Sequence, residues 1–264
     1  MTSNTATTDD TDPLDAAITR AAMVVFVHGA WHGAWCWAGL QAELDRRGIA
    51  SLAVDLPGHG ASTAQATGLH GHAGALGDTL DMLRDRDRDR DRDLGPVVLV
   101  GHSYGGAVIT QAAAGRDDID HLVYVAAFAL DAGESVLGAL GSLERRDVAL
   151  SAAMVPTHDG RATMLDPATA PGALYGECSP QAVAAALPRL CPQTMSTMTD
   201  VVDGAPRNDI ESTYVVCSRD RAVHPDHQAA MADRCTHRIE LDTDHSPFLS
   251  ATDDMADIVE TVAR

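Results

Sequence analysis

The run VVLVGHSYGG at residues 97–106 is an apolar, β-branched stretch that breaks into Gly101, His102, Ser103, Tyr104 and Gly105, with Gly106 behind. A serine hydroxyl is a weak nucleophile until it is lifted onto a sharp strand-to-helix turn, where a histidine reaches it from one side and a substrate from the other. Glycines two residues before and two after the serine give such a turn its room. The apolar run supplies the strand, and AVITQAAAG after it reads as the helix. The chemistry this spacing supports is acyl transfer with Ser103 as nucleophile.

A nucleophilic serine needs a base, and the base needs an orienting carboxylate. On a turn of this type the partners follow in the order serine, acid, histidine, each past a later strand. STYVVCSRDRAVHPDHQ places Asp220 just beyond one strand-like run and HRIELDTDHSPF places His245 just beyond the last. Rival acids are Asp242 and Asp244, which share the histidine's loop, and Asp131, which follows HLVYVAAF. Of the twelve histidines, His28, His59 and His102 sit in turn motifs, where a ring more often satisfies backbone groups than moves protons. The pairs His70/His72 and His224/His227 have no carboxylate-rich ligand set beside them, so no metal and no cofactor is expected. The tetrahedral intermediate of acyl transfer calls for two backbone N–H donors. Tyr104, directly after the nucleophile, supplies one, and Ala30 in HGAWHGAW is the best-placed second. Trp31 in the same loop is a pocket wall or a core residue, whereas Trp35 and Trp37 read as core anchors of the first helix.

Elements alternate along the chain in a way that positions these residues. MVVFVHGA (23–30), IASLAVDLPG (49–58) and the run before Ser103 are apolar runs of strand length, and HLVYVAAF (121–128), STYVVCS (212–218) and HRIELD (237–242) follow as the later strands. Near-continuous apolar strands separated by helical stretches predict a mainly parallel, doubly wound α/β sheet of about six strands, buried on both faces. A terminal helix is expected near 251–263. Residues 129–205, rich in Ala, Pro, Met and Gly, hold no convincing buried strand and interrupt the alternation, so they are expected to form an inserted helical cap between the core segments 23–128 and 206–264. Leu130, Met154, Met164, Met195, Met198 and Tyr175 lie in it. They line an adaptable pocket or pack the cap's own small core.

Bulk properties narrow the class. A chain of 264 residues, 45% apolar, can bury a single large core. Its formal charge of −19 sets it against nucleic acid and anionic membrane partners. Five cysteines without CxxC or finger spacing argue against a disulfide framework, and residues 1–22 are polar, acidic and free of a signal-like apolar region. A cytoplasmic protein with a disordered lead-in is the expectation, and a homodimer is left open. The run RDRDRDRDRD at 84–93 has no apolar face to bury and is expected to be a solvated loop or a frayed helical extension.

The set VFVHGAWHGAWCW, DLPGHGAS, GHSYGG, LYGECSPQAVAAALPRL, CSRDRAVHPDHQ and DTDHSPFL resembles the branch of α/β-hydrolases that holds the plant methylesterases, their bacterial esterase relatives and the hydroxynitrile lyases. The resemblance runs from residue 23 to the end. It implies the α/β-hydrolase fold, Ser103, Asp220 and His245 as triad, Ala30 and Tyr104 as oxyanion donors, and a helical cap near 129–205. The lyases of this branch carry a threonine after the first histidine and a lysine after the catalytic one. Gly29 and Ser246 stand there instead, so the cation that holds a departing cyanide is missing. Gly29, Trp31, Leu130, Met154, Met164, Tyr175 and Ser246 are the candidate substrate contacts. The expected activity is a cofactor-independent serine esterase acting on a small or medium carboxylic ester. A thioesterase or lactonase would use the same residues, and a cofactor-free perhydrolase or oxygenase, a lyase and a non-catalytic ligand receptor are the remaining alternatives.

Overall fold

The structure is a computed structural model that describes residues 22–88 and 95–264. Its strands are β1 (Met23–Val27), β2 (Ser51–Val54), β3 (Val97–His102), β4 (His121–Val125), β5 (Met154–Pro156), β6 (Ala162–Leu165), β7 (Gln193–Thr194), β8 (Glu211–Cys217) and β9 (His237–Leu241). Its helices are α1 (Ala38–Arg46), α2 (Leu69–Arg88), α3 (Gly105–Ala113), α4 (Val136–Ser142), α5 (Leu150–Ala153), α6 (Ala170–Leu174), α7 (Pro180–Ala186), α8 (Ser196–Thr199), α9 (Pro225–Ala232), α10 (Pro247–Ser250) and α11 (Thr252–Ala263).

Six strands form one parallel sheet in the order β2-β1-β3-β4-β8-β9, with Val27 opposite Gly101 and His102 opposite Val125. Its central strands are mostly apolar because alternate side chains enter two cores. Val25, Val27, Leu99, Tyr124 and Tyr214 face Leu76 and Leu80 of α2 and Val108 and Ile109 of α3. Val24, Phe26, Val98, Val100 and Val215 face Leu40 and Leu44 of α1 and Met255 and Val259 of α11. Each such side chain withdrawn from water contributes about 1.5–3 kcal/mol, so the sheet is the rigid body on which the loops are mounted. Trp37 stacks on Phe26 at 4.7 Å between ring centroids and is fully buried, as expected of a core anchor.

Two sequence expectations change, and a third, a loop or a helical extension at 84–93, resolves to helix over its described part. Residues 129–205 hold α4 to α8 but also a three-stranded antiparallel sheet, β5-β6-β7, so the segment is not purely helical. Its strands are two to four residues long, and β5 is exposed at all three positions, which leaves no apolar period to read. Ala22, expected to belong to the disordered lead-in, is buried and donates its N–H to Ala263 at 3.1 Å; residues 1–21 lie outside the described residues. Of the Arg-Asp run, Arg84 to Arg88 continue α2, and Arg84 Nε donates to Asp118 at 2.5 Å; residues 89–93 lie outside the described residues. Among the described residues no helix is long and apolar enough to cross a membrane.

Candidate active site

Ser103 directly follows β3 with φ +51°. Left-handed backbone is costly for a residue with a Cβ, at about 1–3 kcal/mol, and persists only where its surroundings dictate it. Here they do: Ser103 N–H donates to Val125 O at 3.1 Å, and Ser103 O accepts from Gly106 and Phe128 at 3.0 and 3.1 Å. The flanking glycines are required by close approach. A Cβ at Gly105 would lie 2.5 Å from Val27 O, and one at Gly101 would lie 2.6 Å from Gly105 O. Among the described residues the non-glycine positive-φ positions are Trp31, Ser103 and Ala126, each just beyond the carboxyl end of β1, β3 or β4. Strain is concentrated at one rim of the sheet.

Asp220 and His245 reach that rim from the ends of β8 and β9. His245 Nδ1–H donates to Asp220 Oδ2 at 2.6 Å, and both residues are buried. Nε2 is the ring nitrogen left for a second partner. Asp220 also accepts from Ala222 N–H at 2.6 Å, Val223 N–H at 2.9 Å and Gln228 Nε2 at 2.8 Å. Gln228 of α9 is fully buried, accepts Cys217 N–H at 2.8 Å and donates to Val223 O at 2.7 Å, so it fixes the loop carrying the acid. Sequence reasoning missed it because its partners lie on other elements. His102 ties the serine turn to the histidine loop, with Nε2–H donating to His245 O at 2.8 Å and ring centroids 4.5 Å apart.

The rival acids have other partners. Asp131 is bound by Arg207 and lies 3.5 Å from Arg234 Nη1. Asp242 is exposed and takes Arg219 Nε at 2.7 Å. Asp244 accepts from Ser246 N–H at 3.0 Å, Ser250 Oγ at 2.7 Å and Glu177 N–H at 2.8 Å.

Ala30 and Tyr104 lie at the ends of β1 and β3, adjacent strands of the sheet. Both are buried, and among the described residues neither amide donates to a protein acceptor. The peptide that carries the Ala30 N–H is held at its carbonyl end, where Gly29 O accepts from His28 Nδ1 at 2.8 Å. Tyr104 OH donates to His72 Nδ1 at 2.9 Å. Gly29 has no room for a side chain, since a Cβ would lie 2.6 Å from His102 Nδ1 and 3.0 Å from Ser103 Cβ. A threonine there would have to displace His102, and Ser246 is fully buried with its hydroxyl unpartnered.

The remaining candidate contacts divide. Trp31, Leu130 and Tyr175 are buried, and Tyr175 OH donates to His32 Nε2 at 2.8 Å. Met154 and Met164 are 41% and 45% exposed on the small sheet. Met164 borders a cavity of about 110 Å³ with Leu165, Leu187, Leu190 and Cys191. A larger pocket of about 620 Å³ touches Asp220 and is lined by Glu177, Arg219, Arg221 and His224, without Ser103 or His245.

His28, His32, His72 and His102 around the site are buried without an acidic partner. Burial, aided by neighbouring rings, pushes His32 and His72 each down to about 4 and His28 and His102 well below the usual imidazole range. In the unfolded chain these rings titrate near pH 6.5. Between about pH 6.5 and 4 the unfolded state therefore binds more protons, and folding stability falls as pH drops, by up to about 1.4 kcal/mol per pH unit for each ring. Thermal midpoints measured from about pH 7.5 down to 4.5 are expected to decline steeply below pH 6.5. A flat profile would mean that the rings are solvated.

A parallel sheet presenting a left-handed serine, an acid and a histidine past the ends of β3, β8 and β9 is the arrangement of the α/β-hydrolases. The chain belongs to the alpha/beta hydrolase family, which it matches over residues 24–258, and it stands on the methylesterase-like side of that family. It is 27% identical to an alpha/beta hydrolase of Aspergillus novofumigatus over 91% of this chain and 96% of that protein. It is 26% identical to methylesterase 9 of Arabidopsis thaliana over 90% of this chain and 97% of that protein. The crystal structure of an Arabidopsis methylesterase superposes with a TM-score of 0.72 at 24% identity, covering 91% and 98% of the two chains.

Proposed function

We propose that this chain is a cofactor-independent serine esterase that cleaves a small or medium carboxylic ester through an acyl-enzyme on Ser103. The observation that carries the reading is the buried His245–Asp220 hydrogen bond of 2.6 Å, mounted beside a serine held in left-handed backbone. In this reading Ser103 Oγ attacks the ester carbonyl while His245 Nε2 takes the hydroxyl proton. The resulting oxyanion lies against the Ala30 and Tyr104 N–H groups, aided by the positive end of α3. His245 then hands its proton to the departing alcohol, leaving acyl-Ser103, and water releases the acid by the same route. Asp220 holds the imidazole tautomer and supports its charge.

Residues 129–205 act as the cap. Thr163, Tyr175, Cys191 and Gln193 from this segment bond to Trp31 or His32 in the loop after β1, which sets the cap against the oxyanion side of the site. The methylesterases among the relatives support a small alcohol as leaving group. With Ser246 rather than a cation beside His245, alkoxide departure depends on proton transfer from the imidazolium. The five cysteines are unpaired, which fits a reducing cytoplasm.

Rapid mixing with p-nitrophenyl acetate tests the reading. The expected result is a burst of one p-nitrophenol per chain followed by slower turnover, with a fluorophosphonate labelling Ser103 and abolishing both phases. Absence of turnover together with a label on another residue would sink it.

A further inference from the structure

Trp31 directly follows Ala30 and holds φ +62°, and two residues of the 129–205 segment grip its backbone. Gln193 Oε1 accepts the Trp31 N–H at 3.2 Å, and the Cys191 N–H donates to Trp31 O at 2.9 Å. The same Gln193 oxygen accepts His59 Nε2–H at 2.8 Å, and Gln193 Nε2 donates to Thr197 Oγ1 at 2.8 Å. The Trp31 indole N–H donates to Thr163 O and Oγ1, both at 3.2 Å. Gln193 is 1% exposed, so its amide has no water to fall back on. The donor pattern fixes which way it points, because the Trp31 amide can only donate and needs the oxygen. On the other side of the same peptide plane, Ala30 O accepts from His32 Nδ1 at 2.8 Å. The Ala30–Trp31 plane is thus pinned at its carbonyl by the core loop and at its N–H by the inserted segment.

We propose that Gln193 is a positioning residue: it reaches in from the inserted segment and, by holding the Ala30–Trp31 peptide in its left-handed turn, aims the Ala30 N–H at the reacting carbonyl oxygen. The inference rests on Ala30 as an oxyanion donor. Gln193 touches neither Ser103 nor the ester, and it acts only through the peptide that it holds. Remove the acceptor and the Trp31 N–H is left buried and unpaired, whereas His59 can move its proton to Nδ1, 3.2 Å from Pro57 O. The least costly relief is for Trp31 to leave positive φ, which rotates the neighbouring Ala30 amide off its target. The segment that covers the site thereby also sets the oxyanion hole.

Gln193→Met keeps the side-chain length and packing but deletes the acceptor, whereas Gln193→Glu keeps an acceptor oxygen in place. Displacing one oxyanion donor, rather than deleting it, is expected to lower kcat for p-nitrophenyl acetate by about 10- to 100-fold in Gln193→Met, with KM within about twofold of wild type. The same variant should bind a trifluoromethyl ketone, whose hemiketal oxygen occupies the oxyanion position, more weakly by a similar factor. Gln193→Glu should recover all but about threefold of both losses. A Gln193→Met chain that matches wild type in kcat and ketone affinity, whatever its Tm, overturns the proposal. So does a loss confined to KM, or a Gln193→Glu chain as impaired as Gln193→Met. A wild-type chain inert to both ester and ketone overturns the esterase reading itself, and this inference with it.

Discussion

Ser103→Ala is expected to lower kcat for p-nitrophenyl acetate by about 10⁴- to 10⁶-fold while the fold and Tm stay close to wild type. The size of the effect follows from covalent chemistry: without Oγ no acyl-enzyme forms, and what remains is solvent attack on an ester still held against the Ala30 and Tyr104 N–H groups. The small change in Tm follows from the backbone. Alanine also carries a Cβ and leaves the φ of +51° as strained as before, and no core contact depends on the hydroxyl of a residue that is 8% exposed. A steady-state assay beside a fluorophosphonate labelling gel checks both halves, with label and turnover disappearing together. A Ser103→Ala chain with a near wild-type rate would end the esterase reading.

Asp220→Asn should cost about 10⁴-fold in kcat with the chain still folded. The mutant amide can offer its NH₂ to His245 Nδ1, which drives the ring into the tautomer with Nε2 protonated and unable to take the serine proton. Asp220 Oδ1 accepts the Ala222 and Val223 N–H groups, and an asparagine that keeps its oxygen there retains those two bonds while losing the Gln228 Nε2 bond to Oδ2, so a drop in Tm accompanies the loss of rate. The paired control is Asp131→Asn, expected to leave kcat within a few-fold but to lower Tm. Its partner Arg207 is buried with Nε already lacking an acceptor, so it tolerates poorly the loss of a counter-charge. Should Asp131→Asn abolish turnover and Asp220→Asn spare it, the acid is misassigned.

How much of this was legible in the sequence depends on the range over which each feature is decided. Strands β1, β3 and β4 were legible because burial on both faces writes a nearly unbroken apolar run, the half-buried β2 and the exposed edge strand β9 less directly, from their place in the strand–helix alternation, and the serine turn because steric crowding by Val27 O and Gly105 O demands glycine at 105 and 101. The choice among Asp131, Asp220, Asp242 and Asp244 was only half legible. Chain order favoured Asp220, but the arginines that occupy Asp131, at 207 and 234, are remote in sequence. The small sheet in 129–205 was illegible, since strands of two to four residues are too short to carry a period. So was Gln193, a lone amide whose partner His59 lies 134 residues away.

The strand order β2-β1-β3 has a consequence for how this molecule can change. From β1 the chain leaves through α1 on one face of the sheet, and from β3 it leaves through α3 on the other. The two exits diverge at a topological switch point, and a crevice opens between them without any core side chain being given up. The 129–205 segment is an excursion between β4 and β8, strands already paired in register. Its length and composition can therefore drift without unzipping a single rung of the sheet. In the proposed reading, reactivity and selectivity would be inherited on separate stretches of chain, with the Gln193–Trp31 hydrogen bond as a stitch between them that a drifting segment has to preserve.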